Sequence, residues 1–138
     1  MAIHFHSEQI DFPDIDKKSI KNWIKTVIDS HKSKVGDLNY IFTSDENILA
    51  INNKYLEHNY YTDVITFDYT ENKVISGDIF ISLETVKTNS EKFEQAYPQE
   101  LKRVIIHGVL HLIGFKDKTE PDAKEMRKQE DNALKKLV

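Results

Sequence analysis

Residues 99–117 read Gln99-Glu-Leu-Lys-Arg-Val-Ile-Ile-His107-Gly-Val-Leu-His111-Leu-Ile-Gly-Phe-Lys-Asp117. Wound at 3.6 residues per turn, the apolar side chains between Leu101 and Ile113 point to nearly every side. The spacing therefore predicts a helix from about Gln99 to Ile113, set in the core rather than on the surface. Pro98 marks a break before it, and Gly114 is placed where a helix stops in the left-handed conformation.

A helix buried on most sides needs other elements around it. Ile3–Phe5, extending toward Ile10, alternates like a short strand, and Ile20, Trp23, Ile24, Val27 and Ile28 recur at helical spacing from about Lys17 to His31. Gly36 marks the turn that follows. Leu38–Thr43 has strand composition, and Ser44 is an N-cap for a helix whose stripe is Ile48, Ile51 and Tyr55. Thr62–Tyr69 and Val74–Ser82 read as a hairpin pair. Leu83, Val86, Ser90 and Phe93 form the inner face of another helix. Thr119-Glu-Pro-Asp122 opens the last one, with Met126, Ala133, Leu134 and Leu137 facing inward. Polar turns are expected at Lys34–Asp37, Glu71–Lys73 and Lys116–Glu120. Central strands flanked by helices give an α+β class with a small mixed sheet of four strands.

The chain of 138 residues is the length of one domain, 1–138, and its 39% hydrophobic and 30% charged residues with only 4 Gly and 3 Pro exclude collagen, repeats and low-complexity disorder. There are 0 Cys, which removes disulfide frameworks, thiolate zinc ribbons and thiol nucleophiles. A formal charge of −4 means that the whole molecule is not an electrostatic footprint for nucleic acid, although a local basic surface is still allowed. The first residues lack the regions of a signal peptide, and the apolar run Val104–Ile113 is too short to cross a bilayer, so a soluble cytoplasmic protein with no membrane partner is expected.

His107 and His111 are four residues apart on the predicted core helix, so their rings stack on one face and can converge on a single ion. The competing reading is two core histidines satisfied by backbone or carboxylate partners. One metal satisfies both rings at once, which favours the ion. With the chain turning back at Gly114, Asp117 can supply a third, oxygen ligand, although Lys116-Asp117-Lys118 also reads as a solvated turn. Two His and one carboxylate leave a fourth position open, as catalytic rather than structural zinc sites do. In zinc peptidases a Glu follows the first His as general base, and here Gly108 stands in that place. His4 and His6 alternate on one strand face and read as ordinary strand residues.

The run His107-Gly-Val-Leu-His111-Leu-Ile-Gly-Phe-Lys-Asp117 resembles the signature of the YbeY family of metal-dependent endoribonucleases. Tyr55 with Thr62-Asp-Val-Ile-Thr-Phe67 resembles the family's central block, Gly77-Asp-Ile-Phe-Ile81 its next strand, and Glu125-Met126 with Gln129-Glu130 its closing helix. The likeness spans about Ser44 to the C-terminus. It implies a zincin-like α+β fold and a divalent ion, zinc first, at His107, His111 and Asp117. It also implies cleavage of single-stranded RNA in the maturation of small-subunit ribosomal RNA and in ribosome quality control. Ribosomal RNA, the small ribosomal subunit and ribosomal proteins are the partners implied. Two positions depart from the family: Asp117 replaces the commoner third His, and Leu56 stands where many members carry Arg. The ion is expected to polarise the scissile phosphate. Arg103, His58 and Lys54 are candidate substrate contacts, with pairing to Glu100 or another acid the alternative for Arg103 and a solvated loop the alternative for the other two. No general base is visible in the motif. Two other functions remain open: a non-cleaving ribosome-assembly factor with a structural metal, and a metal-dependent hydrolase of peptides or small molecules.

Overall fold

The computed structural model describes residues 2–56 and 62–137. In chain order the elements are β1 (Ile3–Ser7), α1 (Lys17–Ser30), β2 (Lys34–Thr43), α2 (Asp45–Leu56), β3 (Val64–Asp68), β4 (Val74–Ser82), α3 (Leu83–Lys92), α4 (Tyr97–Ile113) and α5 (Glu120–Leu134). The strands form one sheet in the order β1-β2-β4-β3. β2 runs parallel to both β1 and β4, and β3 pairs antiparallel with β4 at the edge. This is the mixed four-stranded α+β architecture expected from the sequence.

Alternation along the strands decides which face carries the core. Tyr40 pairs with Ile79 and Phe42 with Ile81, so these four side chains lie on one face, and all are fully buried. Ile20, Trp23, Ile24, Val27 and Ile28 of α1 join the same core, as do Leu101, Val104, Ile105, Val109 and Leu110 of α4. Buried polar atoms tie these layers together. The Tyr40 hydroxyl donates to the Ile105 carbonyl at 2.9 Å, and Trp23 Nε1 donates to the Ala133 carbonyl at 2.7 Å, seating α5 on α1. His4 and His6 are exposed, with ring centroids 6.3 Å apart. Among the described residues, no helix is long and apolar enough to cross a membrane.

Hairpin and caps follow local chemistry. Asn72 and Lys73 have φ of 51° and 62°, the left-handed pair that a two-residue hairpin turn requires between β3 and β4. Ser44 Oγ accepts from Asn47 N at 3.2 Å, and Thr119 Oγ1 from Asp122 N at 3.2 Å.

Four expectations need correction. Lys34–Asp37 is strand, not turn: β2 starts at Lys34, and Gly36 sits where its register against β4 shifts between Val35 and Leu38. A Cβ at Gly36 would stand 2.1 Å from Ser76 Oγ, so close packing of strands, not reversal, calls for glycine there. Tyr55 and Phe93 lie at the C-terminal ends of α2 and α3, past the buried Ile48, Leu83 and Val86, and are 59% and 52% exposed. Pro98 stands inside the first turn of α4, where its missing N–H costs no helix bond, so the helix begins at Tyr97.

Tyr40→Phe keeps the packing and removes only the hydroxyl. Urea unfolding of this variant is expected to show a loss of about 1 kcal/mol with an unchanged slope.

Candidate metal centre

Because α4 buries most of its circumference, few of its side chains reach the open side, and His107 and His111 are two that do. Their ring centroids are 4.5 Å apart with planes at 86°. Gly114, at φ 129°, ends the helix, and the Phe115 N–H returns to the Leu110 carbonyl at 3.0 Å. That reversal brings Asp117 back over the helix. Asp117 Oδ2 lies 3.2 Å from His107 Nε2 and 3.5 Å from His111 Nε2. One ligand atom from each of the three residues falls within 4.8 Å of the others, so together they could hold one ion.

The opposite ring nitrogens show how the histidines are oriented. His107 Nδ1 is 2.6 Å from Glu130 Oε2, and His111 Nδ1 is 3.0 Å from the Phe115 carbonyl. With Nδ1 protonated, each ring donates to a fixed acceptor and turns the lone pair of Nε2 toward Asp117, the arrangement that metal-binding imidazoles need. The donor set therefore fits a divalent ion. The same helix stop that returns Asp117 also supplies the carbonyl that orients His111.

Charge differs between the two rings. Burial opposes protonation of His107, but the hydrogen bond and charge of Glu130, helped by Asp117 and Asp63, outweigh it and raise its pKa. Burial and then the neighbouring His107 lower the pKa of His111. Burial would raise the pKa of Glu130, but bonding to His107 and Arg103 prevails and lowers it.

Glu130 is the residue that reading the motif missed. It is 5% exposed on α5, and its Oε1 accepts from Arg103 Nη1 at 2.8 Å. A signal was present: Met126, Glu130 and Ala133 share the inner stripe of α5, and an acid there needs a partner. Arg103 lies beside the site, but Glu130 and Asp131 engage its guanidinium, the latter at 2.7 Å from Nη2. Its acid partners are therefore on α5; no ion pair joins it to Glu100 among the described residues. Arg127, more exposed and 3.8 Å from Glu130 Oε1, is the looser cation. Lys54 is exposed on α2 with Nζ 5.1 Å from the Tyr55 ring centre, and among the described residues no ion pair or hydrogen bond joins it to the histidines. His58 lies outside the described residues. Gly108 faces the sheet, where a Cβ would come within 2.9 Å of Ile79 Cγ2, so the position that carries the base in zinc peptidases has no room for a side chain.

Two measurements check this geometry. Glu130→Gln is expected to weaken zinc binding about 10- to 100-fold by calorimetry, and His111→Ala to abolish stoichiometric binding. The raised His107 pKa means that near neutral pH part of the population must lose a proton from that ring to bind metal. Proton release on zinc binding, read from buffers of different ionisation enthalpy, should thus be greater for the native chain than for Glu130→Gln, which removes the chief cause of the upward shift.

The family model "Endoribonuclease YbeY" matches residues 3–138. An endoribonuclease YbeY of Parabacteroides distasonis is 53% identical over 134 residues, covering 97% of this chain and 94% of the relative. That of Bacteroides fragilis is 52% identical, covering 97% and 96%. The solution structure of TM1509 from Thermotoga maritima superposes with a TM-score of 0.70 at 25% identity, covering 99% of this chain and 89% of that one. With a match across almost every residue and the histidine pair, helix stop and returning carboxylate in place, the chain belongs to the YbeY endoribonuclease family.

Proposed function

We propose that this chain, acting as one domain over residues 1–138, is a zinc-dependent endoribonuclease that cuts single-stranded RNA. Its substrate in this reading is precursor small-subunit ribosomal RNA, met in the cytoplasm on the small ribosomal subunit and its proteins, in maturation and quality control. The observation that carries the reading is the convergence of His107 Nε2, His111 Nε2 and Asp117 Oδ2 in a chain of this family. Three protein ligands leave an open position, and Asp117, with 38% of its side chain exposed, puts that position at the surface.

A divalent ion held there supplies Lewis acidity to a phosphodiester and acidifies water. The chain does the rest. Glu130 fixes the His107 ring, with Oε2 on His107 and Oε1 on Arg103. Arg103 is held as a support for Glu130, and Arg127, only loosely paired at 3.8 Å, is a cation able to meet a phosphate. Exclusion of a side chain at position 108 argues against peptide hydrolysis.

Purified protein is expected to carry about one metal ion per chain and to cut a single-stranded ribosomal RNA fragment internally. Chelation should stop the reaction, restored zinc should restart it, and His111→Ala should lower the rate at least about 100-fold. Full metal content with intact RNA would sink the nuclease reading in favour of a non-cleaving assembly factor.

A further inference from the structure

Beside His107, a cavity of about 180 Å³ opens between α3, α4, α5 and the start of β3, with Asp63, Asn89, Phe93, Glu100 and Arg127 in its wall. Glu100 is the telling member. The residue is 8% exposed, and its carboxylate, without an ion-pair partner among the described residues, is not sealed in the core but reaches the open space of this cavity. Burial, then the charge of Asp63, raises its pKa, and the charges of Arg103 and Arg127 oppose the shift. At the rim, Phe93 offers an aromatic face that is 52% exposed. Two arginines in the same wall make a second cation a poor occupant.

We infer that this cavity is a nucleobase subsite, selective for guanine, next to the scissile phosphate. Glu100 and His107 are seven residues apart on one helix, about 10 Å along its axis, comparable to the reach of one nucleotide from phosphate to base edge. An aromatic rim lets any base stack. The carboxylate then chooses among them, because ionised Glu accepts hydrogen bonds and cannot donate. Guanine alone places two adjacent donors, N1–H and the N2 amino group, on its Watson–Crick edge. Uracil flanks its single N–H with two carbonyls, and adenine and cytosine set an acceptor beside their amino group. The role in catalysis rests on the nuclease reading above, whereas the binding does not.

The zinc-loaded full chain would be titrated with each of the four nucleoside monophosphates. GMP is expected to bind at least about tenfold tighter than UMP. Glu100→Gln, which replaces an acceptor by a donor at constant shape, should remove that preference with zinc content unchanged. Phe93→Ala, at an exposed position, should weaken all four by about tenfold. Equal binding of the four, or full preference retained in Glu100→Gln, would overturn the subsite. Mapping cuts on a mixed-sequence single strand separates the two ideas. Cleavage with no preference for binding GMP overturns the subsite alone, and selective GMP binding with uncut RNA supports the subsite while overturning the nuclease reading.

Discussion

A carboxylate out of water must be paired, and Glu130 is paired twice. Its buried position on α5 is compatible with charge because Arg103 takes one oxygen and His107 the other. Breaking such a pair typically costs about 3–5 kcal/mol, more than any exposed ion pair of this chain could offset. This one residue joins the helix bearing the histidines to the helix that closes the domain, and it does so through the ring that faces Asp117. Stability and the orientation of a metal ligand thus rest on the same contact.

Much of the fold was legible because its periodicities are strong. The stripe Ile20–Ile28 is α1, the alternation in Leu38–Thr43 and Val74–Ser82 is the sheet face, and the nearly all-apolar α4 is the core helix. Misreadings fell where one residue type serves two purposes. Glycine marks turns, but Gly36 is small because Ser76 lies against it. Aromatic residues mark cores, but Tyr55 and Phe93 extend helical stripes past the point where the core ends.

The candidate site was legible only where it is local. His107, His111 and Asp117 lie within eleven consecutive residues, so a helix and its stop suffice to bring them together. Glu130 arrives from another helix, and spacing alone cannot say which acid it will be. The same holds for Asp63 and Arg127, which tertiary packing brings to one wall. Arg103 shows the converse case. Pairing with an acid was legible as a reading of its place on the histidine face of α4, but that the acids would be Glu130 and Asp131 of α5 was not.

Trp23 and Ala133 are 110 residues apart, and the bond between them holds α5 in place. During synthesis from the N-terminus, α4 can coil and its histidines can face one another long before that bond exists. Glu130 cannot reach His107 until α5 has emerged and docked. The ring is therefore locked only once α5 has docked, and a chain made only through α4 carries these histidines but not their fixed orientation. Order of assembly thus acts as a timer: the centre matures only once α5 is seated.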